Sequence, residues 1–190
     1  MSVIKPIIKL PAEDDYIVSS FDLKLALLQY YRFKRQWVCV DEFDGMDVVA
    51  DTGKHIIEVE VKVSRQDLLR GESNKKWKHD NYKQLHHVNY IPNKYYFCVP
   101  CCLEKDALKY AHELNPKYGV IVFDNLSFED YIYRTGLLPR HEDSLKTVRV
   151  AHVLHGNYKQ KNSWLIAKRA SSKLITMMEN IYNNSGQNNT

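Results

Sequence analysis

The sequence predicts a single-domain α/β protein in which a central mixed sheet is flanked by helices. Three strand-like segments follow one another between residues 37 and 63, and two more strand-like segments each come directly after a helix-like segment. The chain has 190 residues, of which 44% are hydrophobic and 26% charged, which suits one soluble domain with a sizeable core. No internal repeat or interdomain linker divides it, so we expect one domain over residues 19–183.

The N-terminal part predicts an extended arm followed by a helix. Pro6 and Pro11 favour an extended arm over residues 1–18. A helix is expected over residues 19–35, because Ser19 with an acid three residues later resembles a capping box. Its predicted apolar stripe is Phe21, Leu25 and Leu28.

The strands begin with WVCVDEF at 37–43, after which Gly45 interrupts the pattern. MDVVAD at 46–51 and HIIEVEVKV at 55–63 then predict a hairpin, with a turn at Thr52-Gly53. One face of the second strand carries Glu58, Glu60, Lys62 and Ser64 in strict alternation, and this arrangement of charges calls for an explanation.

The remaining elements alternate between helix and strand. Helical segments are expected at 64–70, 74–88, 102–114 and 160–182, and strands at 94–100, 118–124 and 146–153. Residues 124–145 are irregular in pattern, with a possible short strand at 128–133. The polar tail 184–190 is expected to be disordered.

The sequence carries no signal for a membrane-spanning, secreted or disulfide-bonded protein. No apolar run approaches the roughly 20 residues of a membrane span, and the N-terminus lacks the apolar region of a signal peptide, so a cytoplasmic protein without a membrane partner is expected. The four cysteines fit no disulfide framework. Cys98, Cys101 and Cys102 with His86 and His87 do not predict a structural zinc site, because the sequence has no second cysteine pair. The sequence also has no Gly-rich phosphate-binding loop.

Positive charge is concentrated in two segments. Residues 61–94 contain eight Lys or Arg against three Asp or Glu, and residues 158–173 contain five Lys or Arg and no acid. Together they predict a basic face for nucleic acid, although two separate solvated helix surfaces would give the same composition.

Glu60 and Lys62 lie two apart on a strand, so their side chains share a face at roughly 7 Å. Asp47 or Asp51 on the preceding strand can lie beside them. Two carboxylates and a backbone carbonyl form a hard oxygen site suited to Mg²⁺ or Mn²⁺. The alternative is an exposed strand face that alternates Glu and Lys for solubility and cross-strand pairing.

The pattern Asp47, twelve intervening residues and Glu60-Val61-Lys62 resembles the PD-(D/E)XK, or restriction-endonuclease-like, superfamily. A narrower resemblance, to the MmcB-like DNA-repair family, covers residues 21–174. It is carried by FDLKLALL, Glu42, Asp47, VEVKVSRQDL, NKKW, Tyr82, YYFCVP, YGVIVFD and AKRASSKL. The resemblance implies a three-layer restriction-endonuclease-like fold. Gly45-Met46 stands where that family has an arginine before the motif aspartate.

The resemblance also implies roles for individual residues. Asp47 and Glu60 would be metal ligands together with the Val61 carbonyl, Lys62 the catalytic amine, and Glu42 a further acid. Glu58 and Asp51 remain rivals on the same faces. Asp67 would support the site, and the residues expected to contact DNA or support the site are Ser64, Arg65, Lys75, Lys76, Trp77, Lys78, Tyr82, Lys168 and Arg169.

Three functions therefore remain open from the sequence. The first is a Mg²⁺-dependent DNA nuclease in repair or recombination. The second is a non-catalytic nucleic-acid-binding module that keeps the nuclease fold, which the missing arginine favours. The third is an interaction protein whose charged strand face is ordinary surface.

Overall fold

The structure is a computed structural model that describes residues 18–71, 75–86, 91–124, 141–158 and 160–187. Almost all of the predicted arm at 1–18 and the possible strand at 128–133 lie outside these residues. Within the described part, no helix is both long enough and apolar enough to cross a membrane.

The core of the molecule is a six-stranded mixed sheet, as the sequence predicted. The strands are β1 Val38–Phe43, β2 Met46–Asp51, β3 Ile56–Val61, β4 Lys94–Pro100, β5 Gly119–Phe123 and β6 Leu145–Arg149. They lie side by side in chain order. The first three are antiparallel, β3, β4 and β5 are parallel, and β6 returns antiparallel to β5. The parallel strands are joined by crossovers that place helices on the sheet.

The helices follow the predicted order, with changed boundaries. They are α1 Ser20–Gln29, continued by a π-helical turn Tyr30–Lys34, a second π-helical turn Asp67–Gly71, α2 Lys76–Gln84, α3 Glu104–Leu114 and α4 Gln160–Gln187. The capping box of Ser19 and Asp22 is present at the start of α1. Helix α2 ends earlier than the predicted residue 88, because Leu85 adopts a left-handed conformation with φ of 54°.

The C-terminal prediction was wrong in part. Helix α4 continues to Gln187, so residues 184–187 are helical where a disordered tail was expected. Asn, Ser and Gly are unfavourable in a helix interior, which is why the sequence predicted an end before them.

The helices form two layers around the sheet. Leu23, Ala26 and Leu27 of α1 pack with Val48 and Val59 on one side, which we call the α1 face. Helices α2, α3 and α4 cover the other side, which we call the α2 face. Three layers result. The predicted stripe on α1 was wrong in part. Phe21 is 69% exposed and the fully buried positions are Leu23, Ala26 and Leu27, whereas Leu28 is partly buried and packs against the same core.

Candidate functional site

The charged side chains of β3 lie inside the molecule. Glu58 is 0%, Glu60 1% and Lys62 4% exposed. All six residues of β3 are buried, because the strand lies between β2 and β4 with helices on both faces. This excludes the interpretation of these three side chains as a solvated strand surface. Buried ionised groups need partners, and the surrounding residues supply them.

Glu60 is surrounded by ammonium groups. Its Oε1 lies 3.1 Å from Lys62 Nζ and also forms an ion pair with Lys75. Its Oε2 lies 3.4 Å from Lys78 Nζ. Lys62 in turn reaches Asp67 Oδ1 at 3.4 Å. The two lysines of the α2 region and the lysine that follows β3 therefore converge on one carboxylate.

Glu60 and Lys62 share a face, as predicted from strand periodicity. The backbone N–H of Lys62 donates to the Cys98 carbonyl at 3.0 Å, so the strand geometry continues one residue beyond Val61. Val59 and Val61 point to the α1 face and pack in its core, again as predicted.

Glu58 is also buried on the α2 face, two residues before Glu60. It forms an ion pair of 2.5 Å with Lys78 and accepts a hydrogen bond of 2.8 Å from the Tyr82 hydroxyl. Burial raises the pKa of Glu58, and the nearby charge of Glu60 adds to that effect, whereas Lys78 and Tyr82 oppose it. Burial and Glu58 together hold the pKa of Tyr82 far above its ordinary value.

Asp47 lies next to the peptide bond that joins Glu60 and Val61. Its Oδ2 accepts a hydrogen bond of 2.8 Å from the N–H of Val61. The register pairs Val48 with Val59, so Asp47 lies one residue beyond that pair, at the end of β3. Its Oδ1 is held at 3.1 Å by Lys24, from α1.

Lys24 connects Asp47 to Glu42. It forms ion pairs with both carboxylates, and Glu42 is the more exposed of the two. Partial burial alone would lower the pKa of Lys24, but Glu42 and Asp47 outweigh it and raise the pKa above its usual value. Sequence reasoning assigned no role to Lys24. The one indication of Lys24 in the sequence is that it lies in the segment FDLKLALL, which carries part of the family resemblance.

Asp51, the rival of Asp47, has a structural role. It lies at the opposite end of β2, where its carboxylate accepts from the N–H of Gly53 at 2.8 Å and from the Tyr158 hydroxyl at 3.0 Å. It therefore stabilises the turn after β2 and docks the segment before α4. Asp47 is the β2 carboxylate that lies beside Val61.

The predicted metal ligands divide into two groups by their partners. Glu60 faces the lysines of the α2 region, whereas Asp47 and Glu42 are bound by Lys24. Across the residues that the structure describes, no three His, Cys, Asp or Glu side chains are grouped closely enough to hold a metal ion. The predicted set of two carboxylates and one carbonyl remains a prediction.

A cavity of about 440 Å³ opens beside this charged cluster; we call it the Trp77 cavity. Its walls come from α2 and from the β1–β2 turn, where Gly45 has a positive φ of 77°. Lys75, Trp77, Lys78 and Tyr82 were predicted to contact DNA and all line it. Asp44, Asn81 and His86 also line it and were not predicted.

The other predicted DNA contacts do not line the Trp77 cavity, and the expectation that all of them border one basic cleft stays a prediction. Arg65 pairs with Asp106 of α3 at 3.0 Å, and the Ser64 hydroxyl accepts from the N–H of Asp67 and starts a helical turn. Lys168 lies 5.2 Å from the Trp164 ring on α4. The exposed residues Lys76 and Arg169 are likewise absent from the described lining of the Trp77 cavity.

Comparison with known proteins bears on the fold alone. No protein-family model matches the sequence, and no match was found among curated proteins. A solved structure of a protein of unknown function from Silicibacter pomeroyi is similar, with a TM-score of 0.51 at 15% sequence identity. The match covers 86% of this chain and 91% of that chain, so nearly the whole α/β architecture is shared.

Proposed function

We propose that the protein is a metal-dependent nuclease that hydrolyses phosphodiester bonds in DNA. The observation that carries the proposal is the pairing of Glu60 and Lys62, at 3.1 Å, beside an aspartate that is hydrogen-bonded to the amide between Glu60 and Val61. The carboxylate of Glu60 and the amine of Lys62 at the end of β3, with the carboxylate of Asp47 from β2, supply the groups that phosphodiester hydrolysis needs. Buried ion pairs contribute little net stability, which favours a functional reason for them.

The donor set fits a hard cation in its chemistry. Carboxylate oxygens of Asp47 and Glu60 are ligands that Mg²⁺ or Mn²⁺ prefers, and both lie next to Val61. Lys75 now neutralises Glu60 Oε1, so cation binding requires this ammonium to leave. A bound cation would supply charge neutralisation at the scissile phosphate.

The residues of the chain then have separate tasks. Lys62 is buried and keeps its ammonium against Glu60 and Asp67, where it can orient a water toward phosphorus. Lys75 is 34% exposed and lines the Trp77 cavity, so it can turn from Glu60 to a phosphate oxygen. Trp77 is 67% exposed at the same cavity and offers a ring face to an unpaired base.

A second candidate is a nucleic-acid-binding module without catalysis. It is favoured by the burial of Glu60, which is 1% exposed and has ammonium groups on both of its oxygens. In that case Lys75 and Lys78 neutralise Glu60 permanently, and the exposed Trp77 ring carries the binding.

The test is cleavage of single-stranded, duplex and branched DNA by the wild-type protein with Mg²⁺ or Mn²⁺. Lys62→Ala should lower turnover by about 10² or more while Mn²⁺ binding, measured by calorimetry, persists. Glu60→Gln should lower turnover and also weaken Mn²⁺ binding. Lys83→Ala changes an exposed lysine of α2 that does not line the Trp77 cavity and is the matched control.

Folding must be measured in parallel, because Glu60 and Lys62 are buried and their replacement affects stability. Thermal unfolding of each variant at the assay temperature supplies that control. If the folded wild-type protein cleaves none of the substrates with either cation, the nuclease proposal fails. DNA binding that persists without cleavage selects the binding module.

A further inference from the structure

A second cavity, of about 390 Å³, lies on the α1 face; we call it the Trp37 cavity. Its floor is formed by Ile57, Tyr96 and Ile121, which come from the adjacent strands β3, β4 and β5. These side chains belong to the buried core under α1. The cavity therefore has a rigid apolar floor, and its volume falls in the range of small-molecule sites.

Aromatic rings form the wall of the Trp37 cavity nearest the end of α1. The rings of Tyr31 and Trp37 are stacked, with centroids 5.6 Å apart and planes 18° from parallel. The guanidinium carbon of Arg35 lies 4.7 Å from the Trp37 ring centroid. Tyr31, Trp37 and Arg35 thus form a packed column, which restricts the guanidinium before any ligand arrives.

The floor is fixed by a close approach between Tyr96 and Gly119. A Cβ atom at Gly119 would lie 2.4 Å from Cδ1 of the Tyr96 ring. The two residues are paired across β4 and β5, so the absence of a side chain at 119 makes room for the ring. Tyr96 therefore packs directly on the backbone of Gly119 at the base of the cavity.

The charged groups around the Trp37 cavity are cationic. Arg35 and Lys94 line it, and its described lining residues include no carboxylate. Among the described residues neither cation forms an ion pair. His55 also lines the cavity, and partial burial, with Lys94 and Lys54 nearby, lowers its pKa. The local potential is positive, which favours an anion.

We propose that the Trp37 cavity binds a nucleoside monophosphate. Arg35 and Lys94 carry the positive charge that a phosphate requires, and Arg35 has the planar donor array that phosphate prefers. The rings of Tyr30 and Tyr96 provide the apolar surface that a nucleobase requires, whereas Trp37 is already stacked with Tyr31 and Arg35. A free phosphate ion would contact Arg35 and Lys94 only, whereas a nucleoside monophosphate would also contact the aromatic rings.

This site is separate from the proposed nuclease site. Its lining residues include none of the charged cluster around Glu60, and its floor lies on the opposite face of the sheet. Nucleotide binding in the Trp37 cavity is therefore expected whether or not the protein cleaves DNA. Lys62→Ala should abolish most DNA cleavage and leave nucleotide binding unchanged, so the cleavage assay tests the nuclease proposal and the binding assay tests the nucleotide proposal.

The first experiment is calorimetric titration of the full-length wild-type protein, without divalent cation, with adenosine 5′-monophosphate, adenosine, inorganic phosphate and octanoate. The monophosphate should bind at least tenfold more tightly than adenosine or phosphate, because only it engages both the cations and the rings. Equal affinity for adenosine, tighter binding of octanoate or no binding of the monophosphate would overturn the proposal.

The second experiment locates the site. Arg35→Gln and Lys94→Met should each weaken binding of the monophosphate about tenfold or more, the scale of one lost charge-assisted contact. Arg32→Gln is the matched control, because Arg32 belongs to the π-helical turn that Arg35 follows and does not line the cavity. Retained affinity in both test variants, with unchanged thermal unfolding, would place the ligand elsewhere and overturn the assignment.

Discussion

Lys78 and Glu58 form an ion pair of 2.5 Å in the interior of the protein, with side-chain exposures of 9% and 0%. Glu58 comes from the central strand β3 and Lys78 from the first turn of α2, so the pair joins the helix to the sheet. The Lys78 ammonium also lies 5.7 Å from the Tyr95 ring centroid. Removing one partner leaves the other charge buried without its counterion.

We expect Lys78→Met to destabilise the protein by about 3 kcal/mol at pH 7, the scale for breaking a buried ion pair by removing one partner. Denaturant unfolding of the variant and of the exposed control Lys83→Met measures the difference. A loss equal to that of the control would show that the pair contributes nothing to the folded state.

Glu58 should also make stability depend on pH. Because burial raises its folded pKa above the ordinary value of 4.5, the folded state keeps the Glu58 proton where the unfolded state has lost it. Stability therefore falls as pH rises from about 4.5 through the folded pKa. Glu58→Gln keeps an acceptor for Tyr82 and should remove this component of the pH dependence. Unfolding curves across pH 4 to 8 for both proteins test the difference.

Packing between Gly119 and Tyr96 gives a third prediction. Gly119→Ala should destabilise the protein by about 1–3 kcal/mol, because the added methyl group meets both the ring and the backbone nitrogen of Ala151 at 2.7 Å. Gly156→Ala is the control, since a Cβ there meets nothing within 4 Å. Thermal unfolding compares the two, and equal melting temperatures would contradict the close approach.

The sequence predicted the strands well because their information is local. Valine- and isoleucine-rich segments bounded by turn residues specify β2, β3 and β5, and the two-residue period put Glu60 and Lys62 on one face. The capping box of Ser19 and Asp22 is likewise a short-range pattern. These features require no knowledge of tertiary contacts.

The features that the sequence did not predict depend on how elements pack. Lys75 and Lys78 reach Glu60 because α2 lies across β3, and Arg65 is turned to Asp106 of α3. Neither contact follows from counting charges along the chain. The burial of Glu58 and Glu60 was also missed, since alternating Glu and Lys are equally compatible with an exposed strand.

Helix α1 is another case in which the buried side chains depend on tertiary packing, and it provides a fourth prediction. Phe21, Leu25 and Leu28 satisfy helical spacing, as do Leu23 and Leu27. Packing on the sheet buries Leu23 and Leu27 completely, whereas Leu28 is only partly buried and Phe21 is exposed. Leu27→Ala should therefore cost about 3 kcal/mol, whereas Phe21→Ala should change stability by about 0.5 kcal/mol or less. Denaturant unfolding that gives the reverse order would place the other face of α1 against the sheet.

The last prediction concerns His55, which titrates beside the Trp37 cavity. Partial burial lowers its pKa below 6.5, and the positive charges of Lys94 and Lys54 lower it further. Lys94→Met removes one of these charges and should raise the pKa of His55 toward its ordinary value, whereas the distant Lys83→Met should leave it unchanged. Proton NMR titration measures the pKa of His55 in both variants, and His55→Gln identifies its resonance among the eight histidines.

The lowered pKa of His55 also affects stability. Because the unfolded state binds the His55 proton more readily, this histidine stabilises the fold above pH 6.5, and that contribution is lost as pH falls through the folded pKa. A His55 pKa that does not respond to Lys94→Met would contradict the electrostatic coupling between the two residues.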